Sequence, residues 1–323
     1  MTSLLRVELT RFRCRRVIVL LVLLAAVLAA LVAFQSAWET RPPSSAEVAT
    51  ARANAEIEAA RAGVDADLAE CLKDAAAGSA KSPDEQGCRD MFAANLADYL
   101  PRVSLDLTGT LKGNGSGIAV LVIGLLIVAG SMFAGGDWAS GSIRNQLIFE
   151  PRRSRVWAAK TIAVAIASGL VTAIVLGGFW LALYLVAADR GVPHGSAVVG
   201  DIGWHLFRAV LLGIGAGAGA FALTTLFRSS VATLALLFTY SIGGEILIYL
   251  LPFDGVARWS LGNNVFGWLE KRLEYVDPTA RCVSLGDCTG PAHISHPQAG
   301  AYLAVLLVVA LACSWATFRR RDI

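Results

Sequence analysis

The chain has 323 residues, 55% of them hydrophobic and only 16% charged, and its mean hydropathy is +0.59. Soluble domains carry about 25% charged residues, and a disordered chain, a nucleic-acid binder or a secreted disulfide miniprotein would be more polar, more basic or shorter. The apolar residues gather in blocks close to the roughly 20 residues that cross a bilayer as helix. These features predict an all-α, multi-pass membrane protein.

In chain order, the first predicted element is a basic, amphipathic segment, Leu4–Arg16, leading into span one at Val17–Phe34. A signal peptide's apolar region is about 7–15 residues long. This run has 18 after a long basic flank, so it reads as an uncleaved anchor. Residues 35–117 are long enough for a small helical domain. Glu47–Ala77, rich in Ala, Glu and Arg, reads as one helix. Ser82-Pro83-Asp84-Glu85 has the form of a second helix start, with that helix running to Leu100 and stopping at Pro101. Asn114-Gly115-Ser116 matches a glycosylation sequon too short to carry an argument.

Spans two to five occupy residues 118–251, at Ile118–Ala134, Ala158–Ala187, Leu206–Phe227 and Val231–Leu251. Span three exceeds the bilayer, so it tilts or extends into water. Span four starts raggedly, with His205 and Arg208 near its first turn. Its Gly213/Gly217 and Gly215/Gly219 are small-xxx-small pairs, which favour close helix packing over phosphate binding. Span five holds one ionisable residue, Glu245, a candidate for the substrate path because intramembrane charge is expensive. The alternative is a carboxylate that reaches the interface or is paired. Residues 252–298 are too interrupted to span. Trp259 and Trp268 suit either an interfacial pair of short or re-entrant helices or a folded loop, and both readings stay open. Span six, Ala299–Thr317, ends in a basic tail within residues 299–323.

Orientation follows from Lys and Arg. The N-terminus, the loop after span two, Arg228 and the tail carry fourteen basic residues against four acids, Glu8, Asp137, Glu150 and Asp322. The loop after span one is net acidic. Both termini are therefore expected in the cytoplasm, and the net charge of +3 says nothing about nucleic acid. Cys71 and Cys88 fall in the first outer loop, and Cys282 and Cys288 in the last, whereas Cys14 and Cys313 lie inside or within a span. Two close pairs outside fit local disulfides in an oxidising compartment. A zinc site is the rival in the last loop, where His293 and His296 follow the cysteines, but the spacing matches no zinc-finger pattern.

The informative stretch is GGDWASGSIRNQLIFEPRRSRVWAAK, residues 135–160. Ile143, Leu147 and Ile148 recur at helical spacing, predicting an amphipathic helix from Trp138 to Phe149 that Pro151 ends. Arg152, Arg153 and Arg155 follow at the membrane edge. Such a helix either lies on lipid or docks in a groove on a partner.

The order of these features resembles the loop between spans two and three of ABC type-2 exporter permeases. That pattern runs from an acid through Gly and a small residue to an apolar short helix, Pro, a basic patch and Lys. Here these are Asp137, Gly141-Ser142, Ile143 to Ile148, Pro151, Arg152 to Arg155 and Lys160. Family members usually have Glu where this chain has Asp137, which keeps the charge and shortens its reach. The amphipathic start, the six spans and the interrupted segment after span five also agree, and the wording is similar to actinobacterial members with a disulfide-containing outer loop.

The resemblance implies a plasma-membrane permease subunit that pairs with a second copy or a paralogue and binds a separate P-loop ATPase. It implies an ATPase-coupling surface at Asp137, Gly141, Arg144, Leu147, Pro151, Arg155 and Lys160. No G-x-x-x-x-G-K-[ST] occurs, so ATP and Mg would be held by the partner, and this chain is not expected to be an enzyme or to bind a cofactor. The substrate class implied is hydrophobic or amphipathic: a drug, peptide or lipid. The alternatives are a non-transporting assembly or sensory subunit, whose ectodomain binds a ligand, and a secondary transporter, which would be expected to carry inverted repeats.

Overall fold

The structure is a computed structural model that describes residues 2–59, 64–76, 84–92, 96–251, 255–270, 273–275 and 292–320. The helices in chain order are α1 (Thr2–Cys14), α2 (Arg16–Glu39), α3 (Ser45–Ala59), α4 (Val64–Ala76), α5 (Glu85–Phe92), α6 (Leu96–Tyr99) and α7 (Leu107–Thr110). They continue with α8 (Ser116–Ala139), α9 (Ser142–Phe149), α10 (Arg153–Asp189), α11 (Ser196–Phe227) and α12 (Ser230–Thr239). The last are α13 (Glu245–Leu250), α14 (Leu261–Leu269) and α15 (His296–Arg320). Two short strands, β1 (Leu273–Tyr275) and β2 (Ala292–Ile294), pair antiparallel with Glu274 opposite His293, a small departure from an all-helical chain.

Six helices are long and apolar enough to cross a membrane: Arg16–Glu39, Leu107–Ala139, Arg153–Asp189, Ser196–Phe227, Ser230–Leu250 and His296–Arg320. This is the build of an all-α multi-pass membrane protein, in which each helix satisfies its own backbone groups away from water. Each contains the span expected at its place, apart from the last residue of span five, and several are longer. The second begins at Leu107, eleven residues before Ile118, because Asp106 caps it: the carboxylate accepts from the Thr108 and Gly109 amides, both at 2.9 Å. A hydrogen bond from the Thr108 hydroxyl, with those from the two amides, holds the Asp106 pKa below its ordinary value. Polar residues then continue the helix through a π turn at Leu111–Gly115. Hydropathy marks where a helix enters hydrocarbon, and these helices continue past that point.

By internal contacts the chain divides into two compact units. The first comprises Met1–Phe34, Asp106–Ala188 and Pro193–Ile323. Here α11 lies along α8, α10 and α15. A Cβ on Gly130 would sit 2.7 Å from the Gly217 carbonyl oxygen, so only glycine permits this approach. Gly213 and Gly217 face Thr172 and Ser168 of α10, while Gly215 and Gly219 face Leu307 of α15. The glycine run is therefore a packing device on two faces of one helix. Thr224 donates to Ser131 at 3.1 Å across the α11–α8 contact, and Trp157 donates to Ser314 at 3.1 Å between α10 and α15.

The second unit comprises Gln35–Leu105 and Asp189–Val192. Ser44 and Glu47 form a capping box at the start of α3, with the Ser44 amide donating to Glu47 Oε2 at 2.7 Å and the Glu47 amide to Ser44 Oγ at 3.3 Å. Arg102 closes the box with a 2.5 Å ion pair to Glu47. Arg190 donates to the carbonyls of Thr40 and Ala37 at 2.9 and 2.8 Å, tying the α10–α11 turn to the end of α2. Cys71 and Cys88 are disulfide-bonded, joining α4 to α5. Within the helix expected over Glu47–Ala77 the described residues form α3 and α4, and within the one expected to reach Leu100 they form α5 and α6; residues 60–63, 77 and 93–95 lie outside the described residues. Asp84 Oδ1 accepts from the Gly87 amide at 2.9 Å, whereas Ser82 and Pro83 lie outside the described residues.

Candidate functional site

The site is the end of the first unit where α1, the α8–α9 turn and the start of α10 meet. Asp137 occupies the last turn of α8 and is buried. Ser140 and Gly141 then reverse the chain, and Gly141 takes φ 67°, a left-handed conformation that favours glycine. Helix α9 covers Ser142–Phe149, four residues shorter at its start than the predicted Trp138–Phe149. Trp138 belongs to α8, where its ring packs edge-on to Phe318 at 6.3 Å and under the Arg228 guanidinium at 4.9 Å. Glu150 is extended and Pro151 follows. The residue before a proline is biased out of helix, so α9 ends there and α10 restarts at Arg153.

Five charged side chains converge beneath this turn. Lys160 Nζ, itself buried, binds Asp137 Oδ2 and lies 2.9 Å from Glu8 Oε2. Arg11 reaches Glu8 at 3.2 Å and Asp137 at 3.0 Å, and also donates to Ser142 Oγ at 2.9 Å. Arg15 pairs with Asp137 through one guanidinium nitrogen and donates to the carbonyls of Met132 and Phe133 at 2.9 and 2.8 Å through the other. Gln146 of α9 donates to Glu8 Oε1 at 2.6 Å. Phe133 floors the cluster, with Phe12 at 5.3 Å and the Lys160 ammonium 5.4 Å from its centroid.

Desolvating two carboxylates and a lysine costs several kcal/mol per ion, a cost offset only when every charge is paired and hydrogen-bonded. Here each carboxylate accepts from at least three donors. The arrangement joins α1, α8, α9 and α10 through directional bonds, so displacing α9 moves the ends of two long helices. Asp137 and Lys160 were expected from the sequence. Ser142 stands in the motif as its small residue, and Glu8, Arg11, Arg15 and Gln146 are not among the expected site residues. A signal for three of these was present: Glu8 is the single acid among the arginines of Leu4–Arg16, and Glu8, Arg11, Phe12 and Arg15 fall on one helical face.

The residues of α9 and the segment after it, including the coupling residues Arg144, Leu147, Pro151 and Arg155, divide by direction. Ile143 is buried under α9, Leu147 is half-buried, and Arg144, Pro151 and Arg155 are exposed. At the tip of α9, Ile148 is 76% and Phe149 89% exposed. Asp137 and Lys160 thus anchor the turn from within, and Arg144, Arg155 and the two apolar tip residues form its outer surface.

Glu245 lies elsewhere, at the start of α13. It accepts from Ser260 Oγ at 2.6 Å and from the Gly262 amide at 2.9 Å, so its carboxylate sits on the N-terminus of α14. Ser260 Oγ also accepts from the Asn263 amide at 3.0 Å. At the other end of α14, His205 Nδ1 donates to the Leu269 carbonyl at 3.3 Å and His296 Nδ1 to the Gly267 carbonyl at 3.0 Å. Carbonyls only accept, which puts the hydrogen on Nδ1 and leaves His296 Nε2 to accept from Arg208. An acid at the N-terminus and imidazoles at the C-terminus match the helix dipole. Just beyond α14, burial pushes the Glu270 carboxyl up, opposed by Lys112 and Ser116. Cys282 and Cys288 lie outside the described residues, as does any pairing or zinc site built on them. Comparison with protein-family models and with curated proteins finds no match in either set.

Proposed function

We propose that this chain is the permease subunit of an ATP-driven exporter of the ABC type-2 kind, working with a separate P-loop ATPase and a second permease copy or paralogue. The observation that carries this reading is the α8–α9 turn. Its tip presents Ile148 and Phe149 to solvent beside exposed Arg144 and Arg155, while its base is bonded to α8, α10 and α1 through the five-charge cluster. An exposed apolar tip on a rigidly anchored short helix suits a groove on a partner. A helix that only floated on lipid would gain nothing from the buried ionic anchor.

In this reading α9 is the lever. Nucleotide-driven movement of the ATPase pushes on Phe149 and Ile148, and the cluster passes the displacement to the ends of spans two and three. ATP binding then shifts the population between two arrangements of the permease pair by the difference in its affinity for them. A hydrophobic or amphipathic substrate would move along the permease interface, with Glu245 near the opposite end of span five. The termini and the α9 turn would face the cytoplasm, and the disulfide-bonded unit the exterior.

The test is cross-linking mass spectrometry of the tagged chain purified from its native host. A near-stoichiometric P-loop ATPase that cross-links to α9 and is lost on Arg144→Glu or Phe149→Asp is the expected result. A preparation with other cross-linked proteins and no ATPase would refute the reading.

A further inference from the structure

Beside the ionic cluster, α2 and α8 border an open groove of about 420 Å³, within the range of small-molecule sites, roughly 300–1,000 Å³. Its walls are mainly apolar, from Val17, Ile18, Met132 and Ala139, and Arg15 and Arg16 stand at its rim. Two glycines allow close approach at its edge. Gly135 packs directly on Ser230, and a Cβ on Gly136 would sit 2.6 Å from Arg15 Nη1.

We infer that this groove binds one anionic phospholipid, with the headgroup phosphate on Arg16 and an acyl chain along Val17 and Met132. The charge balance commits the ligand to an anion. Arg15 is engaged by Asp137 and two carbonyls, whereas Arg16 is exposed and pairs with no carboxylate among the described residues. The neighbouring cluster holds three cations, Arg11, Arg15 and Lys160, against two carboxylates, Glu8 and Asp137, so it cannot neutralise Arg16. Basic pockets between helices at a membrane surface attract acidic headgroups. The apolar walls commit the ligand to a lipid. Below Arg16 the surface continues along α2 through exposed Leu20 and Leu24, so an acyl chain stays in hydrocarbon contact over its length. A free phosphate would leave those walls uncovered, and a neutral lipid would leave Arg16 without a counter-charge. The inference needs only the membrane-spanning fold and does not rest on the ATPase reading.

The experiment is native mass spectrometry of the full chain in detergent, titrated with phosphatidylglycerol and, separately, phosphatidylcholine. One phosphatidylglycerol per chain is expected, retained at about five-fold lower concentration than phosphatidylcholine, the ratio that one arginine near a membrane surface supplies. Arg16→Gln removes the preference, Arg16→Lys keeps it, and Ala139→Trp, which fills the groove, lowers retention of both lipids. Both positions lie outside the five-charge cluster, and an unchanged melting temperature shows that the variants fold. Equal retention of the two lipids, or unaltered retention in both Arg16→Gln and Ala139→Trp, would overturn the proposal. Displacement of the lipid by millimolar inorganic phosphate would make this a free-anion site. Lipid-independent cross-linking between two Ala139→Cys chains would instead make the groove an interface between copies. Either outcome also overturns it.

Discussion

Lys160 Nζ lies 2.9 Å from Glu8 Oε2, although 152 positions separate the two residues in the chain. Both side chains are essentially buried, and the same ammonium holds Asp137. One lysine therefore fastens the N-terminal helix to the start of span three and to the end of span two.

Removing that lysine takes one charged hydrogen bond from each of two buried carboxylates and leaves them to Arg11 and Arg15. Lys160→Met is expected to destabilise the chain by about 3–5 kcal/mol, the usual cost of breaking a buried pair from one side. Glu8→Gln costs less, because Gln146 and Arg11 retain an acceptor. Thermal unfolding of both single variants and the double variant in detergent measures the coupling, expected within about 0.5–3 kcal/mol for residues in one network. Strictly additive losses would contradict the network.

Phe149→Asp is expected to change stability by no more than about 0.5 kcal/mol, as for other exposed positions away from structural features. Under the proposed function it abolishes ATPase association. Pull-down with the partner and a melting curve on the same preparation separate the two effects. Loss of folding would mean that Phe149 packs within the chain.

In the unit built on α3 to α6, hydrogen bonds from the Ser44 amide, Arg102 and the Ser44 hydroxyl hold the Glu47 pKa down at about 2, from an ordinary value of 4.5. A pKa lowered by folding means stability that is present above the unfolded value and lost as pH falls toward the folded one. The Glu47 contribution is therefore complete above about pH 5 and declines between pH 4.5 and about 2. Limited proteolysis across that range should show α3 becoming labile in the native chain, with the Glu47→Gln variant flatter over the same interval.

The Cys71–Cys88 bond closes a loop of 17 positions. Chain entropy alone assigns about 3 kcal/mol to a loop of that size. Replacing both cysteines with serine should lower the stability of this unit by about that amount and leave the spans intact, as read by hydrogen exchange. Equal protection with and without the bond would count against it.

Glu245→Ala removes the carboxylate from the N-terminus of α14, and lost caps cost about 0.5–2 kcal/mol. Faster hydrogen exchange at Gly262 and its neighbours is the expected signature. Under the proposed function Glu245→Gln changes transport while assembly is retained, and unaltered export would remove Glu245 from the substrate path.

Six membrane-crossing helices were legible in the sequence because a run of about 20 apolar residues has few other destinations, whatever surrounds it. The stop at Pro151 and the proximity of Cys71 and Cys88 were legible for similarly local reasons. The ends of the helices were not. Leu107 and Ser196 begin them outside the long apolar runs; the Asp106 carboxylate caps the first, and Gly195 precedes the second without a side-chain cap. The candidate site was half visible: Asp137 and Lys160 carry a recognisable order, while Glu8, Arg11 and Arg15 read only as part of a basic, amphipathic segment. Charge in a sequence has no depth. Only the packing of α1 against Phe133 and α10 takes Glu8, Asp137 and Lys160 out of water and half-buries Arg11 and Arg15, and that turns five ordinary surface charges into one interdependent anchor.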